Sequence, residues 1–233
     1  CSTNLNGPTE NTTPIDDVII NQVNEYADWT MTSHSKMNHV LCQIYENRSD
    51  AKAKIKKHSD KTKDMPGKNA VMAFVTFYNE FPESIKYTYT DNDIFFKKGS
   101  ILTRLHFRIK SPMPGFPDEF SIILYPNSVF LMPISTNELY THEIRPSILD
   151  SSLIPTRLGY VVRCSNTLAM FSNNQTFLKT SAGNYEPLRE PTIEDLKMLR
   201  KLYVEENTLM GEIKYPENIS FSMNSGDYLC PKL

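Results

Sequence analysis

The chain has 233 residues, a formal charge of −2 at neutral pH and a hydrophobic fraction of 39%. That is enough apolar content to bury the core of one large domain, and it excludes a disordered or fibrous chain. The near-neutral balance excludes a uniformly basic nucleic-acid binder, no apolar run reaches the length of a membrane span, and only eight glycines leave little scope for glycine-rich phosphate loops.

Residues 1–12 are rich in Ser, Thr, Asn and Gly and read as a flexible tail. Thr13-Pro14, followed by Asp16 and Asp17, is a helix start: a cap, a proline in the first turn and acids at the positive end of the dipole. Ile15, Ile19, Val23 and Tyr26 give that helix an apolar stripe up to about Trp29, which is expected to pack with it. Residues 40–45 read as a strand. A polar, lysine-loaded segment follows over 46–69.

Residues 70–78 form an apolar run, expected to be a buried strand with Phe74, Phe77 and Tyr78 in the core. Strands are then predicted at 86–90, 94–96, 102–109, 120–125, 128–134, 139–144 and 157–164. Short strands separated by Pro, Asn and Gly point to an all-β barrel or sandwich. A helix begins at Thr192, where Thr192 and Asp195 make a capping box and Leu196, Leu199 and Tyr203 share a face. The division expected is a tail over 1–12, a core over 13–185 and a C-terminal extension over 186–233 packed on that core.

Cys1, Cys42, Cys164 and Cys230 are far apart and form no CxxC pair, so a zinc knuckle is a poor reading. Cys42 and Cys164 sit in apolar stretches and are expected to be reduced core thiols. The Asn-x-Ser/Thr sites at Asn11, Asn47, Asn174 and Asn218 are read as unmodified, and the compartment as intracellular, cytoplasmic or nuclear.

His58-Ser59-Asp60 places two metal-ligand side chains two apart, on the same side of an extended segment. His142, in a strand pattern 82 residues after Asp60, can supply a third ligand. Two His and one carboxylate with open positions suit non-haem Fe(II). A chance HxD on a solvated loop is the plain alternative. Arg157 and Arg163 are six apart on a predicted strand and therefore share a face. Two guanidinium groups on an apolar strand are costly to bury unless they meet anions, and a dicarboxylate fits them. A salt bridge to Glu143 or Asp150 is the structural alternative.

HSD at 58–60, His142 and Arg-x5-Arg at 157–163 together resemble the AlkB-like Fe(II)- and 2-oxoglutarate-dependent dioxygenases, in order and approximate spacing. The stretches NHVLCQIYEN (38–47) and LYPNSVFLMPISTNELYTHEI (124–144) are similar to that family's approaches to its two metal-binding segments, so the resemblance covers roughly residues 38–166. It implies a mainly β protein: a double-stranded β-helix (jelly-roll) core with an N-terminal helix and a C-terminal helical extension. It implies Fe(II) on His58, Asp60 and His142, and 2-oxoglutarate on Arg157 and Arg163. Tyr45 and Gln43 stand where the family has a Tyr and an Asn that touch the cosubstrate; Gln43 is a departure.

The implied activity is oxidative demethylation of a methylated base in nucleic acid, with hydroxylation of a protein or small molecule, or a silent binding module, as alternatives. Several relatives carry an acid two residues after the Asp; here that position is Thr62, which cannot neutralise a cationic base, so a neutral methylated base is expected. Seven lysines against two aspartates make residues 52–68 +5 and leave the rest of the chain −7. Lys54, Lys56 and Lys57 are the expected phosphate contacts, and a solvated loop is the plain alternative.

Overall fold

The computed structural model describes residues 9–65, 67–79, 101–180, 182–217 and 219–231. Among them it is mainly β, with eleven strands in antiparallel sheets and three α-helices. The strands predicted at 86–90 and 94–96 lie outside the described residues.

Helix α1 (Pro14–Thr30) starts as the sequence dictates, with Thr13 and Asp16 closing a reciprocal capping box. The stripe is corrected. Ile19, Ile20, Val23, Asn24 and Ala27 are the buried face, while Ile15, Tyr26 and Trp29 are exposed, Trp29 to 85%. The buried face meets Val71, Ala73, Val75 and Val162 on the outside of the first sheet. That sheet has the order β1 (His39–Tyr45), β8 (Arg157–Arg163), β3 (Val71–Tyr78), β6 (Ser128–Pro133).

A second four-stranded sheet has the order β2 (Ile55–His58), β7 (Tyr140–Ile144), β4 (Arg104–Ile109), β5 (Glu119–Ile123). The two sheets face each other. Met72 and Met132 of the first sheet join Leu105, Phe107, Ile109, Tyr140 and Ile144 of the second in one buried cluster, flanked by Tyr45, Phe74 and Phe130. Phe74 therefore packs between the sheets, and Phe77 packs under α1.

Register fixes which residues look into this interior. Arg157 pairs with Tyr45 and Tyr78, Gly159 with Gln43 and Thr76, and Arg163 with His39 and Met72. Since Met72 is an interior residue, alternation puts the whole set Arg157, Gly159, Val161 and Arg163 on the inner face, with Gln43 and Tyr45 beside them.

Three features go beyond the sequence pattern. Strand β2 lies inside the lysine-loaded segment. Helix α2 (Ile134–Leu139) interrupts the chain between β6 and β7. A third sheet, β11 (Tyr185–Pro187), β10 (Gln175–Lys179), β9 (Ala169–Ser172), follows the second arginine. Helix α3 (Ile193–Thr208) has the predicted Thr192 cap, and Leu196, Leu199 and Tyr203 share its inward face as expected, with Leu199 buried and the other two half-buried; the buried Glu206 extends that face beyond its apolar residues. Cys164 is buried as expected; Cys42 is exposed, because β1 is a sheet edge and, of its outward residues, Val40 packs against the α1 cluster while Cys42 and Ile44 are left uncovered. No helix among the described residues is long and apolar enough to cross a membrane.

Candidate metal centre

The first ligand owes its position to a bulge. Ile55 pairs with Ile144 and His58 with His142, so three steps on β2 match two on β7. The extra residue lets Ile55 and His58 both face inward and turns Lys56 and Lys57 both outward. It also brings the Lys56 carbonyl to 2.8 Å from His58 Nδ1. A carbonyl only accepts, so Nδ1 carries the proton and Nε2 keeps its lone pair free.

The chain leaves β2 after His58, and Asp60 returns to the same point. Asp60 Oδ1 lies 3.4 Å from His58 Nε2, and Oδ2 lies 3.9 Å from His142 Nε2. One ligand atom from each of the three residues falls within 4.8 Å of the others. The two imidazole rings have centroids 4.5 Å apart. Asp60 Oδ2 and His142 Nδ1 are buried with no hydrogen-bond partner among the described residues. An orphaned carboxylate oxygen between two imidazoles fits a bound cation better than an empty core.

The electrostatics agree with metal ligation at neutral pH. Burial opposes the charge on Asp60, but the interactions with His58, His142 and Arg163 outweigh that, and the carboxyl sits well below the usual range. His142 lies against Phe74 and Phe107, and burial pushes it down to about 4. A carboxylate anion and a neutral imidazole are the forms that bind metal.

Arg157 and Arg163 face the same interior. Arg157 is 5% exposed, its guanidinium stacks 3.9 Å above the Tyr45 ring, and its Nε has no partner among the described residues. It reaches this position over Gly159, where a β-carbon would stand 2.6 Å from its Nη1. Tyr45 donates its hydroxyl to Gln43 Oε1 at 2.6 Å. The charge of Arg163 reaches Asp60, and the charge of Asp60 reaches Tyr45, in keeping with both sets facing the space between the two sheets. Neither structural alternative holds: Glu143 pairs with Arg145, and Asp150 accepts from Ser152. Among the described residues neither Arg157 nor Arg163 has a carboxylate salt-bridge partner.

Thr62 is not a free neutral wall. Its N–H and its hydroxyl both donate to Glu206 Oε1, at 2.9 and 2.5 Å. A carboxylate therefore stands directly behind the position where the sequence lacks one. Asp64, close by in the chain, accepts from Thr167 and pairs with Lys63.

The lysines divide. Lys52 donates to the carbonyls of Ser147 and Leu149, Lys61 sits 4.0 Å over the Tyr203 ring, and Lys63 pairs with Asp64. Lys54, Lys56 and Lys57 are exposed. A groove of about 810 Å³ begins at Thr62 and runs between α2, the third sheet and the C-terminal segment. Its wall holds Asp64, Glu138, Glu186, Glu212 and Glu217 against Lys63, Lys179 and Lys214, which leaves it acidic.

Sequence reasoning missed Asn137, Glu206 and Asn207, whose side chains reach the ligand loop from α2 and α3. No spacing connects them to His58 and Asp60, which lie 77 to 149 residues earlier in the chain. No protein-family model matches the chain, and no curated protein matches it either.

Proposed function

We propose that the protein is an Fe(II)- and 2-oxoglutarate-dependent dioxygenase of the AlkB-like class. One observation carries this reading: a two-His, one-carboxylate set opens into the same interior as two arginines that, among the described residues, no carboxylate pairs with. The finer fold reading is a jelly roll. Strand orders 1-8-3-6 and 2-7-4-5 support it, since they are those of one chain wound as a double ribbon into two facing sheets.

Fe(II) on His58, Asp60 and His142, with open positions for 2-oxoglutarate and oxygen, would supply oxidation of a substrate C–H bond coupled to decarboxylation of the cosubstrate. The chain's own groups do the rest. His58, proton-fixed on Nδ1, and Asp60, held ionised, present lone pairs at one point. Arg157 and Arg163 bind the two ends of a dicarboxylate, and the desolvation already met by Arg157 strengthens that pairing. Tyr45 and Gln43 line its path. Phe74, Phe107 and Phe130 close the wall behind His142 and exclude water.

For the substrate, the methylated base of a nucleic acid remains the proposal, supported by the exposed Lys54, Lys56 and Lys57 on and beside the strand that carries His58. The acidic groove at Thr62 favours a second reading, hydroxylation of a protein segment with positive charge. Succinate release measured with Fe(II) and 2-oxoglutarate against methylated oligonucleotides, basic peptides and acidic peptides tests both. No succinate above the substrate-free rate on any of them would count against both.

A further inference from the structure

We propose that Asn137, Glu206 and Asn207 are positioning residues for the metal-ligand loop, which makes the C-terminal helix a working part of the metal centre. This rests on the metal reading above and extends it to side chains that touch no metal.

Residues 59–62 belong to no strand, so their backbone N–H groups need other acceptors. Side chains from two helices supply them. Ser59 N–H donates to Asn207 Oδ1 at 2.8 Å, Asp60 N–H to Asn137 Oδ1 at 2.8 Å, and Thr62 N–H to Glu206 Oε1 at 2.9 Å. Asn137 closes a ring by donating its Nδ2 to the Asp60 carbonyl at 2.9 Å. The peptide planes on both sides of the Asp60 Cα are thereby held, and with them the direction of its Cβ. The carboxylate meets the two imidazoles only in that direction.

The acceptors are themselves oriented. Asn207 donates its Nδ2 to the Tyr203 carbonyl one turn back, which aims its oxygen at Ser59. Asn137 is 2% exposed and Glu206 4%. Buried amide and carboxylate groups are expensive unless their bonds are made, and here Asn137 and Glu206 Oε1 make theirs to the ligand loop, while Glu206 Oε2 has no hydrogen-bond partner among the described residues. A loop held only by its own turn would have left these positions free for apolar residues. Helix α3 ends at Thr208, so both of its contributions come from its last turn, after which the chain forms the groove wall.

The test is a Co(II) titration of the metal-free protein, followed by its visible absorption, with the unfolding midpoint of each metal-free variant measured alongside. Glu206→Met and Asn207→Leu remove an acceptor; Glu206→Gln keeps one. Removing the hydrogen-bond support of a metal ligand weakens affinity by about 10- to 100-fold. That weakening is expected for Glu206→Met and Asn207→Leu, with an altered band shape at saturation, while Glu206→Gln binds Co(II) like the wild type. A merely structural role would lower the unfolding midpoint and leave the saturated spectrum unchanged. Wild-type affinity and spectrum in both acceptor-deleted variants would overturn the inference alone. Failure of the wild-type protein to bind Co(II) would end the metal reading and this inference together. Should Glu206→Met not fold, Asn207→Leu carries the same test.

Discussion

His58 and His142 face each other as direct register partners on β2 and β7, with ring centroids 4.5 Å apart. Two imidazoles that close, with the Asp60 carboxylate between them, are poorly placed as core packing. They are well placed to share a cation.

Arg157 is the clearest case where function and stability should separate. A buried guanidinium without a carboxylate is a burden on the fold, and replacing it by an apolar side chain of similar length is neutral or stabilising in comparable settings. Arg157→Met is therefore expected to hold or raise the unfolding midpoint of the metal-free protein. The same change should lower 2-oxoglutarate affinity by more than about a hundredfold, since breaking a buried pair costs about 3–5 kcal/mol. Calorimetric titration of the metal-loaded variant measures this; unchanged affinity would make the arginine structural.

Gly159 is tied to the same residue. A β-carbon there meets the flexible end of Arg157 at 2.6 Å and the Tyr45 ring at 3.2 Å. Gly159→Ala should leave the fold within about 1 kcal/mol, because the guanidinium can swing away. It should weaken 2-oxoglutarate binding for that very reason. A variant with reduced stability and intact cosubstrate affinity would refute the geometry.

His39 predicts a pH dependence away from the metal ligands. Burial first, then the charge of Arg163, lowers it to about 4 from an ordinary 6.5. Between those values the unfolded chain binds the extra proton and the folded one does not. Stability from this group is full above about pH 6.5 and falls away as pH drops towards 4, by up to about 3 kcal/mol. His39→Gln should flatten the acid limb of the unfolding midpoint between pH 6.5 and 4; an unaltered limb would show that His39 is not responsible.

The two substrate readings part on charge. Replacing Lys54, Lys56 and Lys57 by Gln should reduce the salt slope of oligonucleotide binding by about one unit for each phosphate no longer neutralised. Replacing Glu212 and Glu217 by Gln should instead weaken a basic peptide. Filter-binding and fluorescence titrations at two ionic strengths separate them, and salt-independent oligonucleotide binding would remove nucleic acid from consideration.

Arg157 and Arg163 are legible in the sequence because strand alternation is a local rule, whereas His58 and Asp60 are legible as residue types at ligand spacing, their convergence depending on the bulge and on the loop after β2. The described strands from β3 to β8 are legible by the same local rule. The bulge at Lys56-Lys57 is not, since it depends on pairing with a strand more than 80 residues away. Nor is the Asn137–Asp60 ring, because a lone asparagine on a short helix has no pattern. Trp29 defeats the helical pattern because hydrophobic spacing cannot tell which of two helix faces finds a sheet.

The most direct measurement is an anaerobic titration of the metal-free protein with Fe(II) and then 2-oxoglutarate, followed by visible absorption. A charge-transfer band that requires both additions is predicted for the wild type. It should be absent in Asp60→Ala and His142→Ala, and should need far more cosubstrate in Arg157→Met. No band in the folded wild-type protein, or a band that survives removal of the His142 imidazole, would contradict the account.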